Sequence, residues 1–320
     1  MPTLGDFVAT LDKRFVATIW LPVQVFLVAL GAIVLTTSGW TRAVDAWQGL
    51  TGVGQVLAAV GAAGLGTLLA YLVSTQIPLL IRLYEGRWPD RRPLHALAER
   101  GRRRQRKVLA DLITRGLQHR ALLEYPSAPE DVLPTRFGNI LRAGELHSLQ
   151  RYKLDAVVIW PRLYSCLPEP VVRQVAAAKG DVDLMIVVSV AGYLSAVVGP
   201  MIALVAGPSW AALLALVGGA AVGWLSYRGA LVTGLTYATV VRTVFDVHRY
   251  AVLEQLRWHL PSSWKQERRQ WEAIGQLWAR GGVWSEDAAA ALGYQAPPPD
   301  GQRQAPPAVG EIDNPQSDPA

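Results

Sequence analysis

The chain is organised around four long runs that carry no charge. Residues 15–35 read FVATIWLPVQVFLVALGAIVL and residues 53–74 read VGQVLAAVGAAGLGTLLAYLVS; residues 184–206 and 210–227 repeat the pattern. A helix rises about 1.5 Å per residue, so roughly 20 apolar residues cross a hydrocarbon core of about 30 Å. In lipid a backbone must satisfy its own hydrogen bonds, which makes each run a helix. The first run is too long for a cleavable signal, and the following LTTSGWTRA offers no small-x-small exit.

The connecting segments set an expected orientation. Residues 36–52 carry one Arg42 and one Asp45, and the link at 207–209 is three residues long. Residues 82–107 instead hold ten basic residues against Glu85, Asp90 and Glu99. The excess of basic residues places that arm in the cytoplasm. Four spans then bring both termini there, with Trp40, Trp47 and Trp210 at the outer interface and Tyr84 and Trp88 at the inner one. The expected fold is an all-α polytopic membrane protein, with four transmembrane helices in two hairpins. Its parts are a cytosolic N-terminal segment (1–14), a first hairpin (15–81), a cytosolic helical insert (82–183), a second hairpin (184–227), a cytosolic helical extension of the fourth span (228–293) and a disordered proline-rich tail (294–320).

Small residues recur every fourth position in two spans. Gly54, Ala58, Ala62, Gly66 and Ala70 form one stripe; Ala211, Ala215, Gly219 and Gly223 form the other. Such stripes let helix backbones approach in lipid, within one chain or between subunits. Gly199-Pro200 predicts a kink in the third span. Gln24, Gln55, Ser189 and Ser195 are polar, but no ionisable side chain lies in a span core, which argues against a proton- or ion-coupled carrier and leaves a passive pore open.

Outside the spans the apolar spacing turns amphipathic. Residues 210–259 read as one helix of roughly 75 Å whose second half leaves the membrane. On it Leu235, Val240, Val244, Val247, Ala251 and Leu256 share a face for the insert to cover. In the insert, Leu97, Val108, Leu109, Leu112, Ile113 and Leu117 have helical spacing, with arginines opposite. Arg87, Arg91, Arg92, Arg102, Arg103 and Arg104 are assigned to anionic lipid headgroups, which attract a basic residue by about 1 kcal/mol. Nucleic acid is a poor alternative, because no zinc finger, RNA-binding aromatic signature or aromatic interleaving accompanies the run. Further on, Phe137, Ile140 and Leu141 suit the buried face of one short helix, and Tyr152, Val157, Val158, Trp160, Leu163 and Tyr164 that of a second, with Pro161 starting a new turn or kink. Residues 263–280 form an amphipathic helix with Trp264, Trp271, Ile274 and Trp278 on related turns, ended by Gly281-Gly282, and Ser285 caps a last helix over 285–294.

Composition agrees: 51% of the residues are apolar and 18% charged, with a formal net charge of +6. Only Lys13, Lys107, Lys153, Lys179 and Lys265 are lysines, a skew that a GC-rich coding bias explains as well as phosphate binding does. Five histidines include no pair at i, i+4, and no phosphate loop, dinucleotide fingerprint or nucleophile elbow is present. The lone Cys166 reads as a buried structural thiol rather than a nucleophile. One polar cluster is expected from Arg142, Glu145, Asp155, Arg162, Asp246 and His248. Arg142 pairs with Glu145, Asp155 meets Arg162 or Arg151, and Asp246 and His248 point to different faces of their helix. A metal site would need His147 or Glu145 from the insert. No catalytic, cofactor-binding or metal-ligating residue is assigned.

IRLYEGRWP, PTRFGNILRAGE with RYKLDAVVIWPRL, and TVFDVHRYAVLEQLRWHLP together resemble an uncharacterised bacterial, mostly actinobacterial, family of multi-pass membrane proteins over about residues 15–280. The resemblance implies this topology and a bacterial inner membrane, and no activity. The expected function is a non-enzymatic scaffold or docking module facing the cytosol, with a cytosolic protein partner. A homo-oligomeric ion channel and a membrane-bound enzyme using the insert are the alternatives.

Overall fold

A computed structural model describes residues 13–89, 91–206, 209–282 and 292–294 of the protein. Most of the expected N-terminal segment, residues 207–208 of the expected link, most of the expected helix at 285–294 and the tail beyond 294 lie outside the described residues. Among those described, the regular elements are helices. Four are long and apolar enough to cross a membrane: Val16–Thr36, Gly52–Glu85, Glu169–Leu204 and Trp210–His248.

The first span opens with a π-helical turn, Val16–Trp20, and continues as α1, Leu21–Ser38. Pro22 has no N–H to return to Thr18, and the Leu21 amide bonds Val16 O instead, which widens the turn. Gly39, at φ 89°, redirects the chain into α2, Trp40–Gln48. The expected first loop therefore contains an exposed amphipathic helix that carries Arg42 and Asp45. The Thr51 hydroxyl caps α3, Gly52–Glu85, which runs past the expected end at Ser74 and includes Pro78. The chain continues through α4 (Arg92–Thr114), α5 (Gln118–Glu124), α6 (Arg136–Tyr152), α7 (Ala156–Ser165), α8 (Glu169–Ala206), α9 (Ser209–His248), α10 (Tyr250–Gln255) and α11 (Trp264–Arg280).

α8 and α9 are the spine. They run antiparallel, and their closest approach is made of backbone. A Cβ on Gly192 would lie 2.4 Å from Gly223 N and 2.9 Å from Gly219 O; one on Gly219 would lie 2.5 Å from Ala196 N. A Cβ on Gly199 would lie 2.7 Å from the Ala215 methyl. Ala203 meets Ala211 and Ala212 in the same seam. The small residues of α9 thus pack within the chain, against Gly192, Ala196 and Gly199 of α8. The stripe on α3 divides. Ala70 is fully buried among Ile19, Val23, Ile77 and Val187, and Gly66 touches the Gln24 amide. Ala58 and Ala62 are exposed, and Gly54 meets only its own turn. Across the apolar stretch of α3 just 11% of residues are buried, against 33% in α8, so its first half stands clear of the rest of the chain.

Beyond the apolar zone α8 and α9 continue as helices and carry a helical head. α6 lies along α9, with Phe137 and Ile140 packed on Val182, Ile186, Ala230 and Ala238. A second core joins Tyr152, Leu154, Ile159 and Leu163 to Phe245, Leu253, Trp271 and Ile274. The boundaries expected at 183/184 and 227/228 fall inside α8 and α9, so no linker separates span from head.

Several expectations are corrected. The fourth helix is not continuous to His259. It turns at Arg249, whose guanidinium is drawn inward to Glu267, and after α10 the chain leaves the helix at Arg257, φ 56°. This folds Val252, Leu253 and Trp258 into the core. Of the expected face, Val244 is buried and Leu235 and Val240 pack against the two cores beside Ala230, Gly234, Ala238 and Phe245, whereas Val247 is 62% and Leu256 39% exposed. Leu97, Val108, Ile113 and Leu117 are exposed; Ala98 and Leu112 are the buried positions of α4. Val157 is exposed and Ile159, two residues on, is buried, and of the new turn or kink expected at Pro161 no break appears, since the proline sits inside α7. Leu292–Tyr294 return beside Trp258, through a His259 N–H bond to Gly293 O and an antiparallel bridge, instead of ending a helix.

The spine generates a direct test. Gly192→Ala is expected to destabilise the protein by about 1–3 kcal/mol, because the atoms it meets are backbone and cannot move aside. Gly61→Ala, with nothing within 4 Å, is expected to leave the melting midpoint in detergent unchanged. Equal midpoints for the two variants would refute the close seam.

Candidate functional site

The residues with chemistry converge where the spans meet the head. A chain of hydrogen bonds crosses four helices there. Thr135 donates to Tyr84 O (2.7 Å), the Tyr84 hydroxyl donates to Ser189 Oγ (2.9 Å), and Ser189 Oγ donates to Gly223 O (2.8 Å). Thr135 also caps α6, accepting from Gly138 N. Gly138 is the contact that brings α6 onto α3, since a Cβ there would lie 2.2 Å from Glu85 O. Asn139, fully buried, closes the entry to α6 by accepting from Leu133 N and donating to the Leu133 and Thr135 carbonyls.

Three charged networks surround this point. In the first, buried Glu85 pairs with Arg87 (2.9 Å), Arg87 with Glu145 (3.2 Å), Glu145 with Arg142 (3.2 Å) and Arg142 with Asp131 (3.0 Å). In the second, buried Glu124 receives two bonds from Arg136 at 2.9 Å and one from Arg120 at 2.8 Å. Burial pushes the Glu124 carboxyl up, but the hydrogen bonds from Arg136 and Arg120 outweigh it and hold it below the ordinary value. In the third, one Asp246 oxygen takes the Tyr152 hydroxyl (2.6 Å) and His147 Nε2 (2.9 Å). Burial and the bond to Asp246 push the Tyr152 phenol up to about 12, so it stays protonated as a donor. Arg249 lies over the Tyr152 ring at 4.2 Å and pairs with Glu267.

The expected cluster is therefore partly assembled. Arg142 and Glu145 share the first network. Asp246 belongs to the third, with His147, and His248 takes no part in it. Asp155 meets neither Arg162 nor Arg151; its carboxylate caps α7 by accepting from Val157 N (2.9 Å). Arg162 donates to Val158 O and stacks over Trp278 at 4.3 Å, because the exposed end of α7 leans on α11. Of the arginines assigned to lipid, Arg87 is taken up by Glu85 and Glu145, and Arg102 by Glu99. Arg91, Arg92, Arg103 and Arg104 are exposed and pair with no described carboxylate. Thr135, Asn139, Glu124 and Tyr152 were not in the expected cluster. Local signals existed for three of them, the N-cap position of Thr135, the Asn139 bonds four and six residues back and the Arg120–Glu124 spacing of four, whereas Arg136 on Glu124 and Asp246 on Tyr152 come from 12 and 94 residues away.

Two cavities open at this level. One, of about 410 Å³, lies beneath α7 and is lined by Ile81, Leu141, Trp160 and Val241, with Glu85 and Lys179 on its wall. The other is a broader groove of about 730 Å³ between the start of α4 (Leu94, Leu97) and α8 (Val190, Leu194, Val197). Among the described residues no three His, Cys, Asp or Glu side chains converge as metal ligands. The arrangement ties helices together and leaves two apolar recesses beside them.

The fold and the site define an all-helical chain with four helices long and apolar enough to span a membrane. Comparison with protein-family models, curated proteins and solved structures finds no match.

Glu124→Gln is expected to lower stability near neutral pH by about 1.5–3 kcal/mol, the scale of hydrogen bonds to charged groups. The wild-type carboxyl titrates lower folded than unfolded. Its contribution is complete above the unfolded value of about 4.3 and is lost as pH falls through the lower folded value. Melting midpoints of wild type and variant should therefore converge in acid, and a gap independent of pH would contradict the pairing.

Proposed function

We infer that this chain is an integral protein of a bacterial cytoplasmic membrane, with two transmembrane hairpins, both ends in the cytosol, and a non-enzymatic head that serves as a docking or scaffold module. The observation that carries this reading is the passage of α8 and α9 from apolar zone to head without a linker, which couples the head rigidly to the bilayer. The buried carboxylates of the head support it, because Glu124 and Glu267 are held by arginines in structural pairs. Tyr152, beside the His147–Asp246 pair, is held as a protonated donor, which suits a strut better than a reacting group. The resemblance to uncharacterised bacterial membrane proteins belongs to this reading and adds no activity to it.

A second reading, a homo-oligomer with a pore, is favoured by one feature. The first half of α3 has open small positions, Ala58, Gly61, Ala62 and Gly64, and a second copy could pack there.

Topology is tested by reporters inserted at Gln105 and in α2 near Asp45. Activity is expected in the cytosol for the first and outside for the second, and the reverse pattern would overturn the orientation. Site-specific photocrosslinking from exposed head residues Leu122 and Val247 is expected to give one discrete hetero-adduct in cells. Adducts only between copies of this chain, with ion flux in proteoliposomes, would favour the pore instead.

A further inference from the structure

We propose that the groove between α4 and α8 is a binding site for one anionic phospholipid, with an acyl chain along the groove and the phosphate held by Arg91 and Arg92. The proposal deepens the membrane reading above and rests on it.

The groove lies where lipid begins. On α9 the uncharged run ends at Tyr227 and Arg228, and the Arg228 guanidinium stacks over Trp224 at 5.3 Å, as a boundary arginine does. Tyr227 lines the groove, so its opening sits at that boundary. From Val190 to Val197 its α8 wall extends about 10 Å along the helix into the apolar run. Its opposite wall is the apolar edge of α4, whose Leu97 is 51% exposed among the described residues.

The floor is already fixed. Trp88 Nε1 donates to Leu83 O (2.9 Å), and the Tyr84 ring is held through its hydroxyl on Ser189 and lies 6.0 Å from the Tyr227 ring. Filling this recess with a chain needs no rearrangement of those side chains. Aromatic rings at this level suit the junction of headgroup and chain.

Charge selects the occupant. Arg91 and Arg92 stand between Trp88-Pro89 and Leu94 in sequence, at the start of the α4 wall, exposed and unpaired with any described carboxylate. Arg87 and Arg102, nearby on the chain, are neutralised by Glu85, Glu145 and Glu99. The recess beneath α7 lacks this asymmetry, since Glu85 and Lys179 on its wall are both paired. An apolar groove whose wall is interrupted in sequence by two exposed arginines, unpaired with any described carboxylate, fits the net negative headgroup of an anionic phospholipid better than a zwitterionic one.

The test uses full-length protein in detergent, and native mass spectrometry with added phosphatidylglycerol or phosphatidylcholine of the same acyl chains. Wild type is expected to retain one phosphatidylglycerol in preference to phosphatidylcholine. The R91Q/R92Q variant should lower that preference by about 30-fold, from about 1 kcal/mol per arginine near the surface. R103Q/K107Q should leave it within about 2-fold, because these residues lie roughly 16 Å or more along α4 from Arg92, beyond a Debye length of about 8–10 Å. Leu97→Trp should lower retention of both lipids by occupying the groove, while the melting midpoint reports that the variant is folded. Equal retention of both lipids by wild type, or displacement by glycerol phosphate without chains, would overturn the site and leave the membrane reading intact. Release of the protein from vesicles by alkaline carbonate would remove the membrane reading itself.

Discussion

Lipid takes away the driving force that buries one apolar helix on another in water, so helix contacts in a bilayer depend on how closely backbones approach. α8 and α9 meet that condition with glycine facing glycine. Gly192 lies against Gly219 and Gly223 with no room for a methyl group, and Ser189 uses the same proximity to reach Gly223 O. The rest of the molecule depends on that seam. It sets where the two helices emerge from the apolar zone, and α6, α7 and α11 fold on their continuations.

The second constraint is how α3 joins the head. α3 ends at Gly86 in a left-handed turn, and Gly86 and Gly101 both receive Pro134, with ideal Cβ positions 3.0 and 2.8 Å from its ring. Gly138 then presses on the Glu85 carbonyl. Three glycines, one proline and the Thr135 cap thus let three segments cross within a few ångströms. The segment RFGNILRAGE is this junction written in residues. Arg136 holds Glu124, Phe137 fills the core, Gly138 permits contact, Asn139 satisfies buried backbone, and Gly144 lies against Ala238. Its mixture of arginine, amide and carboxylate resembles reactive chemistry, yet these polar groups already have structural partners.

Much of this was legible from pattern. Four uncharged runs of the right length specify four helices, and the stripe Ala211, Ala215, Gly219, Gly223 marks a packing face because lipid-exposed helices have little other need for it. What could not be read is which helix fills the opposite side. Gly192 and Ala196 are ordinary in a span rich in alanine and glycine. Arg142 and Glu145 were readable because they are three residues apart on one helix. Asp246 and His147 are 99 residues apart, and only the course of α6 along α9 unites them. The stretch past His248 misled because its apolar spacing continues through the break. The helix is interrupted at Arg249, which pairs with Glu267, a residue that no local pattern connects to it.

The fate of the arginines shows why composition alone says little about partners. Arg136, Arg142 and Arg249 are consumed by carboxylates from other elements, and Arg242, 7% exposed, donates to Leu123 O on α5. A guanidinium serves this purpose well, because its planar fork can satisfy several acceptors at once where an ammonium is a single point. Among the described residues, exposed arginines without a carboxylate partner occur on several elements, and Arg92, Arg103 and Arg104 of them fall on α4, where Leu97, Val108 and Ile113 are exposed as well. Exposed cations beside an exposed apolar edge are what an amphipathic helix at a lipid surface requires. Because Gly101 and Gly86 both pack on Pro134, α4 is held to the end of α3 and the start of α6, and α6 in turn lies along α9.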